Sequence, residues 1–262
     1  MDFPLLITLV MLGLGGGFLS GLLGLGGAIF MIPLLLYVPP LLGVGQFDMK
    51  QVAAVSMVQV LSASLTGVIV HHKNRFVSRS LLLYMGACNA IGNLAGSLLS
   101  RNVQSAFLLA LFATLAVIAA VVMFIPKREQ GEGTAPEDLV YNKPLACGVS
   151  LAIGSFGGMV GAPGAFIYIP IMIYLLNIPT RIVIGSTLGI VFFGAVTGTI
   201  GKMITGQVLW PAAIALVLGT VPGAQFGSMM SKKVNTKYLR IGIAAIIAIT
   251  GLKIWHQIAT GR

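Results

Sequence analysis

Acid is what this sequence has least of. Among 262 residues only six are Asp or Glu, and charged residues of every kind make up 8%, against about a quarter in an ordinary soluble domain. The six, Asp2, Asp48, Glu129, Glu132, Glu137 and Asp138, stand beside a chain end or in stretches that read as loops. That shortage all but excludes a water-soluble fold of this size. The placement also disfavours a proton carrier working through intramembrane carboxylates. Cysteine is scarce too. Cys88 and Cys147 lie within or at the start of apolar segments, so no disulfide framework is expected and both read as small buried hydrophobes. The opening Met-Asp-Phe-Pro has no basic n-region, and is expected to belong to the folded protein rather than to a cleaved signal peptide.

What is abundant is apolar sequence, at 57%. A bilayer core takes roughly 20 apolar helical residues to cross. Stretches near 52–71, 80–99, 105–125, 182–202, 208–229 and 239–258 meet that length. The net charge of +10 comes from Lys and Arg clustered between these stretches, as in cytoplasmic membrane loops, and not along one face with interleaved aromatics. A lipid bilayer, and no nucleic acid, is the partner this implies.

Two further apolar stretches, 4–38 and 144–176, are too long for one crossing, and each is interrupted by a glycine cluster: Gly13 to Gly27 in the first, Gly154 to Gly164 in the second. Glycine costs about 1 kcal/mol in a helix interior, so each stretch reads as two short helices joined by an irregular turn. Backbone of that kind at membrane depth is tolerated only where it is buried in protein or lines a wet cavity.

The clusters also match one another. Gly21, Gly24, Gly27, Ala28, Pro33 and Tyr37 recur 137 positions on as Gly158, Gly161, Gly164, Ala165, Pro170 and Tyr174. Further along the offset is 131, pairing Thr66, Gly67, Gly92, Gly96 and Ser97 with Thr197, Gly198, Gly223, Gly227 and Ser228. The chain therefore divides into a first membrane repeat (1–125), a hydrophilic linker (126–143) and a second repeat (144–262). With each broken segment counted as a hairpin, crossing fully or re-entrant, Lys and Arg divide 11 against 5 between the faces; with single crossings they divide 9 against 7. The positive-inside rule prefers the first. The expected fold is thus an all-α membrane protein of about ten helical segments, in two inverted-topology repeats with glycine-broken first segments. The linker would be cytoplasmic and both termini outside.

A glycine turn that opens a half-helix points unpaired amides and a partial positive charge at whatever lies before it, which suits an anion. The candidate binding residues are Ser20, Gly24, Gly26 and Gly27 at the first turn and Gly161, Pro163 and Gly164 at the second. Ser56, Gln59, Asn93, Ser186, Thr187 and Gln225 are polar positions in the spans. Ser56 aligns with Thr187, and Asn89 and Asn93 share a helix face. Interhelical hydrogen bonding explains any one of these polar residues equally well. The Gly92/Gly96 and Gly223/Gly227 pairs read as helix-packing motifs, and His71 and His72 as an interfacial pair. No cofactor and no metal site is expected.

The segments Gly21-Leu-Leu-Gly24-Leu-Gly26-Gly27-Ala-Ile-Phe-Met-Ile-Pro33 and Gly158-Met-Val-Gly161-Ala-Pro163-Gly164-Ala-Phe-Ile-Tyr-Ile-Pro170 resemble the TauE/SafE family of sulfite exporters. The resemblance covers the whole chain in length, duplicated layout and central linker. It implies efflux, or in some members uptake, of sulfite or organosulfur anions such as sulfonates, in a bacterial-type inner membrane. The motif positions are Gly24, Gly26, Gly27 and Pro33, with Gly161, Gly164 and Pro170. Pro163 stands where the first half has Gly26, so the turns contribute unequally. A non-transporting scaffold subunit is the bland alternative, and a homodimer stays open. An intramembrane serine hydrolase using Ser20 or Ser155 lacks its acid-base partners, so no enzyme is expected.

Overall fold

A computed structural model of the chain describes residues 2–23, 26–71, 77–124, 139, 141–230 and 255. Apart from Trp255, the stretch 239–258 lies outside them, as do residues 126–138 and 140 of the linker and His72; of His71 only the backbone is described. Among the described residues the structure is all helical: α1 (Phe3–Leu23), α2 (Ala28–Leu41), α3 (Met49–His71), α4 (Arg79–Leu99), α5 (Ser105–Phe124), α6 (Lys143–Val160), α7 (Ala165–Tyr174), α8 (Thr180–Ile204) and α9 (Trp210–Met230). A 3-10 turn, Ser100–Asn102, closes α4. Six of these helices are long and apolar enough to cross a membrane.

Local chemistry sets the helix starts. At α3, Asp48 Oδ1 accepts from Gln51 N at 2.9 Å while Gln51 Oε1 accepts from Asp48 N at 3.1 Å, a reciprocal cap. At α6, Asn142 accepts from Leu145 N at 3.1 Å, and Pro144 sits where its missing N–H has no helical partner to lose.

Glycine decides which helices touch. On α1, a Cβ at Gly13, Gly17 or Gly21 would run into backbone of Leu216, Thr220 or Ala224 on α9; on α9, one at Gly219, Gly223 or Gly227 would strike backbone of Val10, Leu14 or Phe18. The same reciprocal arrangement joins α4 and α6. There Gly92 and Gly96 press on the Leu151 and Ser155 carbonyls, and Gly154 and Gly158 on the backbone of Asn89 and Asn93. Small residues four apart let two backbones approach this closely, and van der Waals packing follows. The rising residue numbers on both sides make each pair parallel. The first helix of each half therefore packs on the fourth helix of the other.

The centre is held by α3 and α8, whose spans are the most buried of the six at 67% and 56%. They run antiparallel, with Gly67 against Leu188 and Gly198 against Met57.

Candidate functional site

Both glycine turns adopt backbone that other residues resist. Gly26 and Gly27 have φ of 71° and 80° between α1 and α2, and Gly161 and Gly164 have φ of 80° and 94° between α6 and α7. Left-handed backbone costs an L-residue with a Cβ about 1–2 kcal/mol. Each turn reverses the chain. Tyr168 on α7 comes back beside α6, its Oη 2.7 Å from Ser150 Oγ. Likewise α2 returns along α1, where a Cβ on Gly27 would lie 2.9 Å from Ser20 Cβ and one on Gly16 would meet Met31 Cε. Helical bonding restarts at the second glycine of each turn. Gly27 O accepts from Phe30 N and Met31 N at 3.1 and 3.0 Å, and Gly164 O from Ile167 N and Tyr168 N, both at 2.9 Å. The first amides of α2 and α7 precede those bonds, and by helix geometry have no partner within the helix.

The two turns meet. A Cβ placed on Gly26 would lie 3.7 Å from Ala165 Cβ, 3.3 Å from Val191 Cγ1 on α8 and 3.2 Å from Val60 Cγ1 on α3. Gly161 abuts the backbone of Ala53, lower on α3. Ala53, Ser56 and Val60 form one helical stripe at i, i+3 and i+7. Ser56 therefore stands on α3 between the residue at one turn and the residue at the other.

Three of the candidate side chains gather there with their polar atoms idle. Ser20 is 1% exposed and Ser56 and Gln59 are 0% exposed. Ser20 Oγ, Ser56 Oγ and both Gln59 amide atoms have no hydrogen-bond partner among the described residues. Gln59 reaches the first turn, where its Nε2 would be 3.0 Å from a Cβ on Gly27. An unsatisfied buried polar group costs about 1–3 kcal/mol, so this cluster is either a burden on the fold or a place awaiting a polar guest.

The remaining candidates fall elsewhere. Pro163 is buried within the second turn, and Gly24 lies outside the described residues. Thr187, one helical turn from Val191, directs its hydroxyl to Val183 O at 2.7 Å. Ser186 Oγ accepts from Ser78 N at 3.1 Å, at the start of α4. Asn93 donates to Asn89 O and Oδ1 at 3.0 and 2.7 Å, and Asn89 donates to Ile190 O at 2.9 Å; Asn93 Oδ1 is buried with no partner among the described residues, but the pair ties α4 to α8 rather than reaching the α3 stripe. Gln225 is exposed on α9 and does not join the site. The contact stripe of α9 is Gly219, Gly223 and Gly227, and a residue two positions from that stripe points about 200° away from it.

The sequence matches the family described as Sulfite exporter TauE/SafE over residues 9–254. The chain belongs to the TauE/SafE family. Similar proteins include the probable membrane transporter protein YunE of Bacillus subtilis, 25% identical with 96% of this chain and 97% of that one covered. A probable membrane transporter protein of Xylella fastidiosa is 28% identical with the same coverage. A third, MJ0441 of Methanocaldococcus jannaschii, is 22% identical over 96% of each chain. No solved structure matches. As a TauE/SafE protein with six helices fit to cross a bilayer, the chain is a multi-pass membrane transporter.

Two polar groups of this TauE/SafE chain escape a reading of the sequence. Thr199 on α8, 6% exposed, has no partner for its hydroxyl among the described residues; the neighbouring contact of Gly198 with Met57 puts it near the level of Ser56. Lys202 is 0% exposed near the end of α8. The apolar stretch expected at 182–202 ends on Lys202, and α8 continues past it to Ile204.

Proposed function

We propose that this protein exports a small oxyanion of the sulfite or sulfonate kind, bound between the two glycine turns. The observation that carries the reading is the set of partnerless buried atoms, Ser20 Oγ, Ser56 Oγ and Gln59 Nε2, beside the amide end of α2. Hydroxyls, a carboxamide and backbone N–H groups all donate to an oxyanion, and α2, at 14 residues, adds the positive end of its dipole. Neutral donors do this without fixing a charge in the membrane. Burial of the cluster fits an occluded state, from which access to either side requires the turns to part.

The helix directions support inverted repeats. Gly45 lies beside Leu5, and Gly27 beside both Ser20 and Gln59, so α1 and α3 run in the same sense. Since α3 opposes α8, and α8 runs with α4 and α6, α1 and α6 are opposed. That arrangement sends the turns into the membrane from opposite sides, with the site at the repeat interface. Arg79 and Lys143 open α4 and α6 at one end, where Lys143 Nζ stands 5.0 Å from the Tyr84 ring centroid. Lys50, Arg101 and Lys202 collect at the other. These five alone do not orient the protein, but the sequence count over all the loops is 11 Lys and Arg for the Arg79 end against 5 for the other, and by the positive-inside rule that favours the Arg79 end as the cytoplasmic one in a bacterial-type inner membrane.

Energetics favour export over uptake. An anion leaving a cell that is negative inside gains about 2.3 kcal/mol per charge per 100 mV, so no coupling ion is needed. Radiolabelled sulfite flux in proteoliposomes under an imposed potential tests the reading. Movement toward the positive side, growing with the potential, is the expected result. Flux equal to that of protein-free liposomes overturns transport of this substrate, and accumulation against the potential turns the reading to uptake.

A further inference from the structure

Among the described residues Lys202 is the charged side chain that is buried, and nothing negative faces it there. Its ammonium donates to Ser100 Oγ at 2.6 Å, Gln207 Oε1 at 3.1 Å and Met159 O at 3.2 Å, all formally neutral oxygens. The surrounding charge is positive. Lys50 Nζ donates to Arg101 O at 2.8 Å, one residue from Ser100. The acid on this face, Asp48, is exposed and engaged with Gln51 N at 2.9 Å and Ser105 Oγ at 3.3 Å. A buried cation is strongly destabilising unless a counter-charge offsets its lost hydration, and an ionisable residue inside a membrane span is by default part of an ion pathway.

Its position is equally specific. Met159, whose carbonyl it touches, is two residues before Gly161, so the ammonium lies against the helix that leads into the second turn. Ser100 and Gln207 come from the chain segments that close α4 and follow α8, which places the cluster at the end of the bundle carrying Lys50 and Arg101.

We propose that Lys202, with Ser100 and Gln207, is a second anion station, between the turn site and the aqueous phase at the Lys50–Arg101 face, and that the transported oxyanion is its missing counter-ion. This rests on the oxyanion transport proposed above. As the anion passes, it takes the ammonium from Gln207 Oε1; the neutral donors beside it are the Gln207 amide, which now donates to Ser100 Oγ at 3.2 Å and Thr205 Oγ1 at 2.7 Å, and the Ser100 hydroxyl, which now donates to Ser97 O at 2.6 Å, and both exchange those partners for the anion. The bland alternative is a latch, in which Lys202 only ties α8 to the ends of α4 and α6.

Two substitutions separate these. Lys202→Gln removes the charge, while Gln207→Glu leaves Lys202 in place and gives it a resident carboxylate, which strengthens a latch but competes with an arriving anion. Sulfite flux is measured in proteoliposomes over a concentration series, with thermal unfolding of each variant. An anion station predicts that KM rises by about tenfold or more in both variants, with Gln207→Glu unfolding no lower than the wild type. A KM within twofold of wild type in Gln207→Glu overturns the station, even where Lys202→Gln is inactive or unfolds. Absence of sulfite flux in the wild type instead removes the transport reading itself, and this proposal with it.

Discussion

Replacing Gly27 by Ala tests the turn site with a single methyl group. Two penalties are built into that position. The φ of 80° costs an alanine about 1–2 kcal/mol. The new Cβ would also stand 2.9 Å from Ser20 Cβ, 3.0 Å from Gln59 Nε2 and 3.3 Å from Gly16 O, crowding that costs about 1–3 kcal/mol in a packed interior. Gly43, in the loop after α2, supplies the matched control. Its φ is 67°, and a Cβ there would meet nothing within 4 Å. Gly43→Ala thus carries the backbone penalty alone, and the difference between the variants isolates the methyl group lodged among Ser20, Gln59 and the amides of α2. Sulfite flux per folded protein, with thermal unfolding in parallel, is expected to fall by about tenfold or more in Gly27→Ala, the loss of one or more charge-assisted hydrogen bonds. Gly43→Ala should stay near wild type. Equal flux per folded protein in the two variants refutes the assignment of the anion to this turn.

Ser56→Ala removes a buried hydroxyl that has no partner in the resting fold. Unfolding stability should hold or rise by about 1 kcal/mol, while oxyanion KM increases; a stability loss with unchanged KM would make Ser56 a packing residue. Gly223→Leu drives a side chain into the backbone of Leu14 on α1 and should abolish accumulation of folded protein, read by gel filtration in detergent, whereas Gly15→Ala, with nothing within 4 Å, should accumulate normally. Cys88 and Cys147 are free and adjacent across α4 and α6. With a protease site placed in the 126–138 linker, mild oxidation should keep the cleaved halves together on a non-reducing gel, and separation of the halves counts against the parallel α4–α6 pairing.

Much of this arrangement is legible because the membrane makes glycine conspicuous. A residue that costs a helix about 1 kcal/mol persists at Gly17, Gly21, Gly154 and Gly158 only where another backbone presses on it, and at Gly26, Gly27, Gly161 and Gly164 where φ is positive. The helices α3, α4, α5, α8 and α9 fall on expected spans for the same reason, since length and apolarity are local properties. Partner choice is not local. Nothing in the spacing of Gly92 and Gly96 says that α6, and not α9, is their partner. Side-chain surroundings are not local either. Gln225 has the residue type of an anion donor, but its phase relative to Gly223 and Gly227 turns it outward. Asn93 shares a face with Asn89, as expected, but the pair binds α8. Lys202 was invisible as an interior charge because its burial is produced by Ser100, Met159 and Gln207, which are distant or unremarkable in sequence.

In the proposed function, two converging turns hold an anion against Ser56 and Gln59. Selenite is a heavier oxyanion of the same shape as sulfite, and anomalous diffraction from crystals grown with it locates the anion directly. A peak is expected within hydrogen-bond reach of Ser56 Oγ and Gln59 Nε2, beside the amides that open α2. Well-ordered crystals at saturating selenite with peaks only on the surface, and no density beside Ser20, Ser56 and Gln59, would contradict it.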